Sequence, residues 1–188
     1  RENPNLNPVE VIEWANVWYL TCNETGEDIL LTLAIAYIES GTWVTVDDRD
    51  SFVRFHPRAI SPKGALGLFQ LIGPTAREVA DNLGIHYDKS VKSPSNAIIS
   101  VSTDTSASVN DKRKLVQEII LKHVEKYPGS IEAVALNPDN SIRMGIYYLT
   151  YLRKFNLPLE GRIESYNAGL AGHISGRARE ETVPYREK

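Results

Sequence analysis

The sequence predicts a mainly α-helical fold built as one domain over residues 1–188, and three observations carry that prediction. The first is an almost wholly apolar run from Ile29 to Ile38, bounded by Asp28 on one side and Glu39-Ser40-Gly41 on the other. A run of that length reads as a helix buried on most faces. The second is helical periodicity at the start of the chain and again over 111–127. The third is that strand-like alternation is confined to Trp43-Val44-Thr45-Val46 and Phe52-Val53-Arg54-Phe55, enough for one short hairpin.

Taken in order, Asn7-Pro8 opens the first helix, with the proline in the first turn, where its missing N–H leaves nothing unpaired. Val9, Ile12, Trp14, Val17, Trp18 and Leu20 form its apolar face, and the two tryptophans read as core. Asn23 to Asp28 reads as a polar turn. Asp28 suits the N-cap of the apolar helix and Gly41 the residue just past its end. Residues 42–60 form a loop or hairpin, and Pro74 to Leu83 a helix stopped by Gly84. The Ser/Thr-rich stretch from Ser90 to Ser108 reads as a surface loop or short ribbon. An amphipathic helix follows over 111–127, ended by Pro128-Gly129, and two more over 140–155 and from Arg162 to Ala171.

Composition excludes more than it asserts. The chain is long enough for one domain with a proper core. Its apolar and charged fractions, 42% and 24%, are those of an ordinary globule. A net charge of −3 gives no reason to expect nucleic acid or an anionic membrane surface as partner. Cys22 is the single cysteine, so no intrachain disulfide forms, and either redox compartment fits. Leu20-Thr21-Cys22 is no lipoprotein cleavage site, because Glu13 and Asn16 interrupt the stretch before it. No segment is apolar enough to span a bilayer, and no export signal is present in the chain. His56, His86, His123 and His173 lack metal-ligand spacing, and His123 reads as a plain helix-face residue. No phosphate-binding loop accompanies Gly64 and Gly67, so no metal or cofactor is expected.

Chemistry concentrates at Glu39, the one ionisable group at the far end of the apolar helix. Desolvation there would penalise the charged carboxylate, and the partial negative charge of a helix C-terminus would push the same way. A carboxylic acid kept protonated near neutral pH is what protonation of a glycosidic oxygen requires. Five blocks then follow in order: Glu39-Ser40; Ser61-Pro62-Lys63-Gly64-Ala65-Leu66-Gly67-Leu68-Phe69-Gln70-Leu71-Ile72 running on to Thr75; Asn137-Pro138 through Gly145 to Tyr148-Leu149; Ser165-Tyr166-Asn167-Ala168-Gly169; and Glu181-Thr182-Val183-Pro184-Tyr185. Each is weak alone. Together, over most of residues 28–185, the chain resembles the catalytic domain of soluble lytic transglycosylases, glycoside hydrolase family 23, whose fold is related to goose-type lysozyme.

That resemblance implies a lysozyme-like fold and a peptidoglycan substrate, cleaved at the MurNAc–GlcNAc link, with extracytoplasmic action or carriage on a phage particle. It implies Glu39 as general acid and then base. It implies substrate contacts at Ser61, Gln70, Ile72, Tyr166, Asn167, Glu181 and Tyr185, with Tyr166 orienting the catalytic carboxyl and Phe69 packed inward. Two departures stand out. Twenty-two positions separate Glu39 from Ser61, more than the family uses, and residues 85–136 read as an insertion packed on the domain. The long connection also carries Asp47, Asp48 and Asp50, which leaves a two-carboxylate muramidase as the rival enzyme; a run of this kind is more often a solvated turn. A non-catalytic glycan-binding module is the rival of another class, and an intact Glu39 argues against it.

Overall fold

Helix follows helix around one core in the computed structural model, which describes residues 7–46, 49–169 and 174. Helix α1, Pro8–Thr25, starts where Asn7 accepts a 3.0 Å hydrogen bond from the Val9 N–H. It runs past the turn expected from Asn23. The hydroxyls of Thr21 and Thr25 donate back to the carbonyls of Val17 and Thr21, at 2.7 and 2.8 Å, so these polar residues stay helical. Gly26, at φ 65°, is the true stop.

Helix α2, Ile29–Glu39, is capped by Asp28, which accepts from the N–H groups of Leu30 and Leu31. It is not buried on most faces. Thr32, Ile35 and Ala36 face the core, while Leu30 is 72% and Tyr37 49% exposed. The helix lies at the rim of the core, not through it, so length of apolar run overstated burial. Ser40 rather than Gly41 closes it: the Ser40 N–H and hydroxyl both donate to the Ala36 carbonyl, at 2.9 and 2.6 Å. Trp18 ties α1 to α2 by donating its indole N–H to the buried Thr32 hydroxyl at 2.7 Å.

Strands β1, Thr42–Val46, and β2, Arg49–Val53, form an antiparallel hairpin, with Trp43 opposite Phe52; its second strand starts earlier than expected and ends before Arg54. After a looped segment come α3, Gly73–Leu83, and α4, Ser95–Thr103. Helix α4 corrects the expected loop or ribbon over 90–108. Ile98 is buried against the core, and Ser102 and Thr103 donate their hydroxyls to the Ile99 carbonyl, so the Ser/Thr composition does not break the helix. Helix α5, Val109–Lys126, brings the fully buried Val116 and Ile120 into the same core. The short α6, Ile131–Leu136, was not legible as an element of its own. Helix α7, Pro138–Arg153, starts two residues earlier than expected because Asn137 caps it, accepting from the Asn140 N–H at 3.1 Å. Helix α8, Leu159–Ala168, ends at Gly169.

Helix α7 is the centre, with Ile142, Met144, Ile146, Leu149 and Leu152 all fully buried. Two clusters of ionisable side chains tie other elements onto it or beside it. Glu27, after α1, meets Arg162 of α8 at 2.8 Å and Arg153 of α7 at 2.7 Å. His123, expected as a plain helix-face residue, has a side chain only 9% exposed, with Nε2 3.3 Å from the buried Glu132 carboxylate. It faces inward because α5 packs on α6.

Candidate active site

Glu39 is the last residue of α2 and is half-buried. A path of hydrogen bonds leads away from the residue after it. The Ser40 carbonyl accepts from the His56 N–H at 3.3 Å, and the His56 carbonyl from the Ala59 N–H at 3.1 Å. The Ala59 carbonyl in turn accepts from the Gly67 N–H at 2.9 Å and from the Gln70 side-chain amide at 3.0 Å. Glu39 and Gln70, thirty-one positions apart in sequence, are thereby held in one framework.

The loop from Ser61 to Ile72 is tightly folded. Bridges pair Ile60 with Leu66 and Leu66 with Leu71. Gly64 and Gly67 take φ 79° and 74°, a region open to glycine, and a Cβ on Gly67 would also come 2.6 Å from the Ala135 carbonyl. The Ser61 oxygen accepts from the N–H groups of Lys63 and Ala65, so it is committed to the turn and offers a ligand only its hydroxyl proton. Gln70 sits at φ 48°, uncommon for a residue with a side chain. Its amide nitrogen donates to the carbonyls of Ala59 and Gly67, at 3.0 and 2.8 Å, which orients the amide and leaves its oxygen for a ligand.

Phe69 is fully buried, as expected, 5.3 Å from the Trp18 ring and 6.5 Å from the Tyr166 ring. The Tyr166 hydroxyl donates to the Phe69 carbonyl at 2.6 Å, so this tyrosine fixes the loop immediately before Gln70. The Leu68 N–H donates to the Ser141 hydroxyl of α7 at 2.9 Å. Ile72, at the N-cap of α3, is 48% exposed beside that loop. The structure thus brings Ser61, Gln70, Ile72 and Tyr166 onto one loop and its anchor. Asn167 is exposed at the end of α8. Glu181, Tyr185 and His173 lie outside the described residues, as do Asp47 and Asp48, while Asp50 pairs with Thr45 in the hairpin. Among the described residues no group of three or more His, Cys, Asp or Glu side chains could hold a metal ion.

Two residues of the long connection were not singled out by sequence. Arg54 donates from Nη1 to the carbonyls of Tyr37 and Ile38, at 3.3 and 3.2 Å, in the turn that carries Glu39. His56 has a buried Nδ1 with no hydrogen-bond partner among the described residues. Burial, and then the Arg58 charge, hold the His56 pKa below its ordinary value, so the imidazole is neutral near neutral pH. The only sequence signal for either was the unusual length of the segment.

Among the described residues no helix is long and apolar enough to cross a membrane. No curated protein and no solved structure matches the chain. Residues 53–103, from the end of β2 to the end of α4, match the family described as Transglycosylase SLT domain. That match spans the whole Ser61–Ile72 loop, and the mainly helical fold around it is consistent with a lysozyme-like domain of the lytic transglycosylase kind.

Proposed function

We propose that this domain is a peptidoglycan lytic transglycosylase, a carbon–oxygen lyase with Glu39 as its acid and base. Glu39 protonates the oxygen that links C1 of a MurNAc residue to C4 of the next GlcNAc. The C1–O bond breaks, and the substrate's own acetamido group stabilises the cationic sugar. The Glu39 carboxylate then takes the proton from the 6-hydroxyl, whose oxygen closes on C1. The products are a 1,6-anhydroMurNAc end and a free 4-hydroxyl, with no water consumed and Glu39 restored to its acid form. On this reading the Gln70 amide oxygen, the Ser61 hydroxyl, Ile72 and Asn167 line the glycan groove, with Glu181 and Tyr185 at its edge and Tyr166 holding its wall.

The observation that carries the reading is the hydrogen-bonded path from Ser40 through His56 and Ala59 to Gln70, which ties the end of the Glu39 helix to the loop of the family match. The test is Glu39→Gln, nearly isosteric but unable to exchange the proton. General acid–base catalysis contributes about 10²–10⁴-fold, and release of muropeptides from purified sacculi is expected to fall by at least that much with glycan binding kept. Near-normal lysis by this variant would remove Glu39 from the reaction. Mass spectrometry of the wild-type products tests the reaction type, since reducing ends carry one water more than anhydro ends. Reducing ends would favour a muramidase using Glu39 with an aspartate of the 47–50 segment.

A further inference from the structure

We infer that Arg54 is a positioning residue for this reaction: its guanidinium clamps the C-terminal turn of α2 and so fixes where the Glu39 carboxyl points. The inference rests on the transglycosylase reading and adds to it a residue from outside the motif blocks.

The last carbonyls of any helix lack partners within the helix. In α2, Ser40 serves only the Ala36 carbonyl, through both its N–H and its hydroxyl. The next two carbonyls, of Tyr37 and Ile38, accept from Arg54 Nη1. These are the two residues before Glu39. The guanidinium also lies 5.1 Å from the centre of the Tyr37 ring, which itself stands 5.7 Å from the Phe55 ring. With the His56 N–H on the Ser40 carbonyl, the segment Arg54–His56 grips the end of α2 on both sides of Glu39. A planar guanidinium with five donors can hold two carbonyls and an aromatic face at once, which an ammonium cannot.

The contact has an electrostatic side as well. A cation at a helix C-terminus offsets the partial negative charge gathered there. Arg54 therefore offsets the negative end of α2 next to Glu39.

The test compares Arg54→Gln, Arg54→Lys and Glu39→Gln, by initial rates of muropeptide release across pH, with circular dichroism to confirm folding. A misplacement of about 1 Å can cost about 10²-fold in rate, so Arg54→Gln is expected to lose about 10–100-fold in kcat with KM within about threefold. Removing the cation leaves the helix end uncompensated, so the alkaline limb of its profile is expected at higher pH. Arg54→Lys keeps the charge but not the fork: its limb stays near wild type while kcat recovers only in part. Wild-type kcat and an unmoved limb in a folded Arg54→Gln would overturn the inference. So would a loss confined to KM, which would make Arg54 a substrate contact. If Arg54→Gln does not fold, the limb and kcat of Arg54→Lys decide alone, and wild-type values in both would overturn it. Retained activity in Glu39→Gln would instead sink the functional reading on which the inference rests.

Discussion

Gly145 lies in the middle of α7, where alanine would ordinarily be an improvement. In an exposed helix interior, Gly→Ala stabilises by about 1 kcal/mol. Here a Cβ on Gly145 would overlap Cγ and Cδ1 of Phe69 and come 2.5 Å from its Cβ. Rotating the phenyl ring cannot clear the last of these, because a Cβ is placed by its backbone. That backbone is held by the Tyr166 hydroxyl on the Phe69 carbonyl and by the Leu68 N–H on Ser141, one helical turn before Gly145. Phe69 must therefore be driven from a fully buried site, a loss of about 3–5 kcal/mol judged from truncations of buried aromatics. Subtracting the helix gain leaves Gly145→Ala destabilised by about 2–4 kcal/mol. In a domain of this size that is a fall in Tm of about 4–16 °C. Urea unfolding would measure it, and a cycle with Phe69→Ala would show whether the two residues couple strongly. Because Gln70 follows Phe69, activity should fall further than stability accounts for. A Gly145→Ala protein more stable than wild type would refute the reasoning.

Glu27→Ala leaves two arginines facing a vacated buried site; removing one partner of a buried ion pair costs about 3–5 kcal/mol, and the partial exposure of Arg153 puts this case at about 3 kcal/mol, read from the urea midpoint. Stability unchanged in Glu27→Ala would mean that the pair does no more than offset its own desolvation. His56, whose folded pKa is lowered, binds its proton more readily in the unfolded chain, so its contribution is complete above pH about 6.5 and is lost as pH falls below that value. His56→Gln should flatten urea stability over that window, and curves that stay parallel for the two proteins would exclude the role.

Most helices were legible because their signals are local. Asn7-Pro8, Asp28 and Gly84 act through the backbone groups next to them, and the structure uses each as the sequence suggests. What misled was composition read without its partners. Thr25, Ser102 and Thr103 look like turn formers, yet each folds its hydroxyl back onto a carbonyl of its own helix. The apolar α2 looked central, but burial depends on how many neighbours surround a helix, which no periodicity states. In the site, the resemblance implied an inward Phe69, as found. Arg54 and His56 were illegible because their significance is a contact with a helix end 16 or more residues away.

The loop also explains how a residue can hold a disfavoured backbone at the candidate site. Gln70 at φ 48° carries strain of about 1–3 kcal/mol, which persists only where the surroundings over-determine the conformation. Here they do so from several directions. Trp18 of α1 packs against Phe69, Ser141 of α7 takes the Leu68 N–H, and Tyr166 of α8 takes the Phe69 carbonyl. Gly145 is what lets α7 approach closely enough for these contacts to coexist. Gln70 then closes the turn itself, through two amide hydrogen bonds to Ala59 and Gly67. Ala59 is the junction, since it also connects through His56 to the end of α2. Glu39 needs no helix of exceptional burial to be held in place. The end of its helix is tied to the same core that forces the loop into shape, which is why residues as distant as Gly145 and Tyr166 bear on the proposed site.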